Sequence, residues 1–130
     1  MFIKASIYQE VINHCQSELP YEGCGLLSGS EGVITSCWPV TNIQRSPTSF
    51  AMSNSDMLRV FEEMEKLNEE FLGIFHSHPT AKAYPSHEDI IYNPYPEKGY
   101  LIISFLKGKP VLKCYRFKGK EVYPVEVVQI

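Results

Sequence analysis

The chain has 130 residues, of which 44% are hydrophobic and 12% aromatic, and its formal net charge is −3. These values exclude a disordered chain and predict a single globular domain spanning residues 1–130. The basic residues form no continuous stripe along the sequence, so nucleic acid is not an expected partner.

The first third of the chain is predicted to contain one helix and one pair of strands. Apolar residues recur at helical spacing over residues 4–17, and Pro20 ends this helix. Residues 24–27 and 33–40 are predicted to form two strands, because each is an apolar run and a turn-forming Ser-Gly-Ser-Glu-Gly segment separates them. Residues 42–49 are polar and include a proline, which indicates a loop.

The remainder of the chain predicts a second helix and a series of strands. Serines at positions 53 and 55 can cap a helix that runs to Leu67 with one apolar and one acidic face. Further strands are predicted at residues 71–75, 100–106, 111–117 and 121–129. Pro124 favours an edge or bulged position for the last strand. This order of elements predicts an α/β or α+β fold, with a sheet packed on helices.

The four cysteines form no C-x-x-C pair, so a zinc site built from thiolates is not expected. Scattered thiols suit a reducing compartment, and we therefore expect a cytoplasmic protein. The first residues lack the cationic and long apolar regions of a signal peptide, and no segment has the length of a spanning helix. A membrane is therefore not an expected partner.

Three of the four histidines lie in the segment GIFHSHPTAKAYPSHEDI, directly after an apolar run. In a strand, His76 and His78 project from the same face, and Pro79 ends the strand because it has no N–H to donate. Ser86 is predicted to open a short helix on which Asp89 follows at i+3. Two histidines and one carboxylate can hold a metal ion and leave one position open, as in catalytic zinc sites.

Each part of this pattern also has an ordinary structural interpretation. An H-x-H pair occurs by chance, and Ser86 with Asp89 forms a common helix-capping pattern. The combination favours a metal site, because the parts occur together far less often than separately. His87 is predicted to turn away from Asp89 and His14 to be partly buried or on the surface, so neither is an expected ligand. Cys24 is interpreted as a core residue.

These residues resemble the JAMM motif of the MPN (Mov34/Pad-one) domain family. The spacing His-x-His-Pro, followed by Ser86 and Asp89, matches the metal motif, and PYEGCGLL at residues 20–27 resembles a second segment of the family. The resemblance implies a mixed, curved β-sheet flanked by helices, of the cytidine-deaminase-like type. It also implies one zinc ion bound by His76, His78 and Asp89, with Glu22 as general acid/base and Ser86 supporting the oxyanion.

The same resemblance implies hydrolysis of a peptide or isopeptide bond after the C-terminal glycine of a ubiquitin-like or sulfur-carrier protein with a Gly-Gly tail. Only ten residues, 90–99, separate Asp89 from the next predicted strand, so the chain is similar to compact prokaryotic members. Two alternatives stay open. The first is a non-catalytic MPN scaffold or interaction module, and the second is an iron enzyme with two histidines and one carboxylate. The oligomeric state is not predicted.

Overall fold

The computed structural model describes all 130 residues and contains eight strands and three helices. The strands in chain order are β1 (Phe2–Ile3), β2 (Cys24–Ser30), β3 (Val33–Val40), β4 (Glu70–His78), β5 (Gly99–Ser104), β6 (Val111–Lys118), β7 (Glu121–Val125) and β8 (Val128–Gln129). The helices are α1 (Ala5–Glu18), α2 (Asn54–Lys66) and α3 (His87–Tyr92). No helix is both long and apolar enough to cross a membrane.

The eight strands form one mixed sheet in the order β7-β6-β5-β4-β2-β3-β1-β8. The pairs β4–β5, β1–β3 and β1–β8 are parallel, and the other pairs are antiparallel. Only residues 126 and 127 separate β7 from β8, although these strands lie at opposite edges of the sheet. Because the three Cα–Cα steps from Val125 to Val128 span at most about 11 Å, the sheet must curl until its edges approach. The predicted mixed, curved sheet with helices is therefore confirmed.

The two faces of the sheet carry separate hydrophobic clusters. Residues of α1, including Val11 and Cys15, pack with Phe75 and Leu101 on one face. Residues of α2, including Val60 and Met64, pack with Ile74 on the other face. Since side chains alternate along a strand, His76 and His78 share the face of Ile74, which is the α2 face.

Local sequence explains why α2 starts and why β2 can lie between two strands. Ser53 caps α2 by accepting a hydrogen bond from the Asp56 N–H at 3.1 Å. Within β2, a Cβ added to Gly25 would overlap the Trp38 carbonyl oxygen and the Phe75 ring. Glycine at this position therefore permits the close approach of β3 and of the β4 side chain that leads into His76.

Three features of the strands differ from the sequence prediction. Strand β2 continues to Ser30, three residues into the segment predicted as a turn. The predicted last strand, 121–129, is divided into β7 and β8, which pair at opposite edges of the sheet. The first strand, Phe2–Ile3, was not predicted, because two residues are too few to show alternation. The prediction of an edge position for Pro124 is confirmed, since β7 is the outermost strand next to β6.

Candidate metal centre

The carboxyl end of β4 brings two histidines to one point. His76 and His78 both project from the α2 face, and their Nε2 atoms lie 3.1 Å apart. Asp89, in the first turn of α3, places Oδ2 at 3.3 Å from each of these nitrogens. All three residues are buried, with at most 8% of each residue exposed. The structure therefore brings together the three residues that the sequence proposed as metal ligands.

The triangle formed by these atoms has the size that a zinc ion requires. Ligand atoms placed tetrahedrally at the usual Zn–N and Zn–O distances of about 2.0–2.1 Å lie about 3.3–3.4 Å from one another. The observed edges of 3.1, 3.3 and 3.3 Å agree with that spacing. The nitrogen and oxygen donors are also of the type that zinc accepts. The residues present therefore fit a zinc ion held by three protein ligands.

Hydrogen bonds behind the triangle fix the orientation of two of the three side chains. His78 Nδ1 lies 2.8 Å from the Lys82 carbonyl oxygen, which can only accept, so Nδ1 carries the proton and a neutral ring turns its Nε2 lone pair inward. Asp89 Oδ1 accepts a hydrogen bond from the Tyr100 hydroxyl at 2.9 Å. Such outer contacts commonly orient metal ligands. The third side chain, His76, has no partner for Nδ1 and is held by stacking on Phe50, with ring centroids 4.5 Å apart.

The electrostatics of the triangle favour a cation. Burial opposes ionisation of Asp89, but hydrogen bonds from His76 and His78 outweigh it and hold the pKa of this carboxyl well below its usual range. Burial lowers the pKa of His78, yet its hydrogen bonds to Asp89 and to the Lys82 carbonyl raise that pKa overall. Complete burial lowers the pKa of His76 despite the nearby carboxylate. A buried carboxylate with a lowered pKa therefore lies against two imidazole rings, and its negative charge favours a cation at this point.

Glu22 lies beside the triangle, at the start of β2. The pairing of Cys24 with His76 in the antiparallel β2–β4 ladder brings Glu22 level with His78. Ser77, between the two histidines, secures this alignment: its N–H donates to the Gly23 carbonyl at 3.0 Å and its Oγ accepts from the Gly23 N–H at 2.8 Å. Glu22 is only 4% exposed, and its carboxylate makes no hydrogen bond or ion pair with another residue. Burial, partly offset by His78, raises its pKa to about 8.

Ser86 joins the site through a capping box at the start of α3. Its N–H donates to Asp89 Oδ2 at 2.8 Å, and its Oγ accepts a hydrogen bond from the Asp89 N–H at 3.1 Å. Both interpretations of Ser86 are thus compatible, because capping uses a lone pair of the hydroxyl and leaves its proton free to donate. Ser86 itself is exposed at the surface of the site.

The loop between β3 and α2 holds Phe50 against His76, and Asn42 organises that loop. The Asn42 side chain donates to the carbonyl oxygens of Glu22 and Ser49, each at 3.0 Å. Its Oδ1 accepts from the N–H groups of Gln44 at 3.0 Å and Ala51 at 3.2 Å. One amide therefore links the backbone of Glu22 to the loop that covers His76.

Sequence reasoning did not identify Asn42, Phe50, Ser77 or Tyr100 as site residues. The only available sign was the spacing of Ser77 within the H-x-H pair, and nothing in the local pattern marked the others. The remaining histidines lie outside the triangle. His87 is exposed, and His14 is partly buried near Glu18 at 3.8 Å. Cys24 is fully buried, as expected for a core residue.

A cavity of about 670 Å³ opens next to the triangle. Its wall includes Asp89 and Tyr100, the loop that carries Phe50, the end of α3 at Tyr92, and Tyr95 in the segment that follows. Half of its sixteen lining residues are hydrophobic. A volume of this size can accept an extended peptide segment beside the ligand atoms.

Comparison with known proteins agrees with the geometry. The family model described as prokaryotic homologs of the JAB domain matches residues 4–118. A CysO-cysteine peptidase of Mycobacterium tuberculosis is 33% identical, and the match covers 99% of this chain and 92% of that protein. A desampylase of Pyrococcus furiosus is 36% identical over 83 residues, which cover 64% of this chain and 59% of that protein.

Solved structures share the fold. The solution structure of protein DSY2949 from Desulfitobacterium hafniense has a TM-score of 0.91 and 34% identity, covering 99% of this chain and 92% of that one. The JAB1/MPN domain protein AF2198 from Archaeoglobus fulgidus has a TM-score of 0.66 at 22% identity, covering 99% and 100% of the two chains, and shows the fold alone. The resemblance to the JAMM/MPN family is therefore confirmed, and the chain belongs to the prokaryotic JAB-domain family.

Proposed function

We propose that this chain is a zinc-dependent peptidase that cleaves the bond after the C-terminal glycine of a ubiquitin-like or sulfur-carrier protein. The observation that carries this proposal is the triangle of His76, His78 and Asp89, whose edges of 3.1–3.3 Å suit zinc, beside a buried and unpartnered Glu22. The names of the relatives support the substrate class, since they describe a CysO-cysteine peptidase and a desampylase.

Three residues would hold the ion, and it would supply one kind of chemistry. His76 and His78 would donate through Nε2 and Asp89 through Oδ2, which are the atoms that meet in the triangle. Zinc bound there would act as a Lewis acid that polarises a carbonyl group and lowers the pKa of water to about 7. Tyr100 and the Lys82 carbonyl would keep the ligand atoms of Asp89 and His78 in position.

Glu22 would carry the proton. In hydrolysis of a peptide or isopeptide bond, water adds to the carbonyl carbon and the leaving amine must gain a proton. A carboxyl with a pKa near the working pH can accept the proton from water and release it to the amine. In the metal-free protein burial raises the pKa of Glu22 to about 8, and a cation bound beside it would lower that pKa. General acid–base catalysis of this kind contributes roughly 10²–10⁴-fold to rate.

Ser86 would act on the developing negative charge of the substrate oxygen. Because its Oγ already accepts the Asp89 N–H, the hydroxyl is held at the rim of the site with its proton available. A single donor to an oxyanion contributes roughly 10²–10³-fold to rate in other hydrolases. The adjoining cavity of about 670 Å³ would receive the extended tail of the carrier protein, and a Gly-Gly tail would bring the least bulk to the ligand atoms.

The proposed setting is the cytoplasm, where unpaired thiols persist. All four cysteines are free in the structure. Neither nucleic acid nor a membrane is part of the proposed reaction.

Intact-mass spectrometry tests the proposal directly. The zinc-loaded protein is incubated with ubiquitin-fold proteins of the same host that end in Gly-Gly, either extended by one residue or joined to a lysine through an isopeptide bond. We expect a new species ending in Gly-Gly, and no such species with the Glu22→Gln variant at equal zinc content. Stoichiometric zinc without any product would instead support the scaffold alternative. Oxygen consumption by the iron-loaded protein would support the iron enzyme.

A further inference from the structure

A second groove, of about 300 Å³, lies beside the loop of residues 79–86 that joins β4 to α3. Lys82, Lys107 and Lys113 line it, together with the apolar side chains of Tyr84, Leu106 and Val111. We call it the lysine groove.

The register of the sheet places the lysine groove on the same face as the two histidines. His76 pairs with Ile102 and Ile102 with Lys113, while His78 pairs with Ser104 and Ser104 with Val111. Cross-strand partners project from the same side of a sheet. Two strand spacings amount to about 10 Å, so Lys113 and Val111, in the β6 wall of the groove, lie about 10 Å from the two histidines along the sheet.

The groove belongs to the most basic part of the chain. Residues 98–120 contain seven lysines and arginines and no aspartate or glutamate, although the whole chain has a net charge of −3. None of the three groove lysines forms an ion pair with a carboxylate, since the ion pairs of the chain involve other residues. The Lys82 ammonium lies 5.5 Å from the centre of the Tyr84 ring. The positive charge of this groove is therefore uncompensated.

Apolar surface accompanies the charge. Tyr84 is 45% exposed, Leu106 50% and Val111 38%. Apolar side chains with a charged rim are characteristic of protein-binding surfaces, and rim charges select partners of opposite sign. Phosphate binding alone would use the lysines but would leave these apolar side chains without a role.

We propose that the lysine groove docks an acidic patch on the folded domain of the carrier protein while the tail of that protein reaches the candidate ligands. This inference rests on the proposed function and identifies the surface that holds the substrate. The geometry is consistent with one bound molecule, because about three residues of extended tail cover 10 Å. Affinity for the folded domain then adds to the affinity for the tail, and a substrate lacking the domain loses that contribution.

The test compares a charge reversal in the groove with a matched reversal outside it. Lys107→Glu/Lys113→Glu changes the groove, and Lys118→Glu/Lys120→Glu makes the same change of charge in the same basic segment at exposed positions outside it. Two substrates are used: a Gly-Gly carrier protein of the host extended by one residue, and the peptide of its last eight residues with the same extension. Circular dichroism and zinc content verify that each variant is folded and loaded.

For the groove variant we expect kcat/KM on the protein substrate to fall at least about tenfold, mainly through KM, and kcat/KM on the peptide to stay within about twofold. The outer variant, Lys118→Glu/Lys120→Glu, should retain more than half of the wild-type kcat/KM on both substrates. Raising the salt concentration should slow the wild type on the protein substrate and affect the groove variant less.

Calorimetry separates docking from the reaction. Wild type and both charge-reversal variants are compared with Glu22→Gln added to each, so that the bound carrier protein is not cleaved. We expect the carrier protein to bind and the groove reversal to weaken its affinity about tenfold. This result would stand even if neither substrate were cleaved and the proposed function had failed. Equal loss on protein and peptide would overturn the docking proposal. So would an equal effect of the outer variant, unchanged binding of the carrier, or a groove-dependent affinity for a 20-nucleotide RNA that exceeds the affinity for the carrier.

Discussion

Replacing Glu22 by glutamine should stabilise the metal-free protein, and the gain should grow with pH. The carboxyl is 4% exposed and has no hydrogen-bond partner, and burial moves its pKa from 4.5 to about 8. Because the folded state holds this proton more tightly than the unfolded state, the contribution of Glu22 to stability is fully present below pH 4.5 and is lost as pH rises through about 8. Glutamine imitates the protonated form at every pH and avoids this loss.

The size of the effect follows from the two pKa values. A pKa moved from 4.5 to about 8 corresponds to about 5 kcal/mol well above pH 8 and to about 3 kcal/mol at pH 7. We therefore expect Glu22→Gln and wild type to unfold with similar free energies at pH 4. At pH 7 the variant should be more stable by about 3 kcal/mol, and the difference should level off above pH 8.

Urea unfolding in the presence of a chelator and a thiol reductant measures this difference. Trp38, the single tryptophan, is partly buried and donates from Nε1 to Ser28 Oγ at 2.8 Å, so its fluorescence reports unfolding. Glu62→Gln, which changes an exposed glutamate on α2 that forms no ion pair, is the matched control and should show a small difference independent of pH. A pH-independent difference for Glu22→Gln, or a variant less stable than wild type at pH 8, would show that burial does not raise the pKa of Glu22.

Three further substitutions examine the site. His76→Ala should abolish stoichiometric zinc binding measured by elemental analysis after dialysis, and retained zinc would remove this residue from the ligand set. Tyr100→Phe removes the hydroxyl that donates to Asp89 Oδ1, so zinc affinity in a competition titration should fall about tenfold or more; unchanged affinity would contradict its supporting role. Asn42→Ala leaves four backbone groups without their side-chain partner and should cost about 1–3 kcal/mol in unfolding free energy. It should also lower kcat while zinc content is kept, whereas wild-type kcat would show that the loop does not position Glu22 or Phe50.

Local patterns predicted the parts of the site that depend on short-range geometry. The spacing of His76 and His78 places both on one face of a strand whatever its neighbours are, because side chains alternate with a period of two. The cap formed by Ser86 and Asp89 is likewise set by four consecutive residues at the start of a helix, and the structure contains it. Glu22 had no such local pattern, and its candidacy came from the resemblance to the family and from its place between Pro20, which ends the helix, and an apolar strand.

The unpredicted parts depend on contacts between distant segments. Tyr100 reaches Asp89 only because β5 pairs in parallel with β4 in one particular register, with Ile74 opposite Tyr100. Asn42 donates to the Glu22 carbonyl because its own loop folds back on that residue, and such a contact leaves no periodic pattern in the sequence. The short strands β1 and β8 exist because the edges of the curled sheet approach each other, and two residues alone have no preference strong enough to indicate a strand.

Motifs of a few residues were enough to indicate the family, the order of the main helices and strands, and the side chains that could meet a metal ion. The three-dimensional structure was needed to show that three ligand atoms lie within 3.3 Å of one another, that Glu22 is buried beside them, and that a lysine-lined groove shares their face. The physical reason is that strand register and burial are set by contacts between residues far apart in the chain. These contacts fix both the distances and the electrostatic environment on which the proposed chemistry depends.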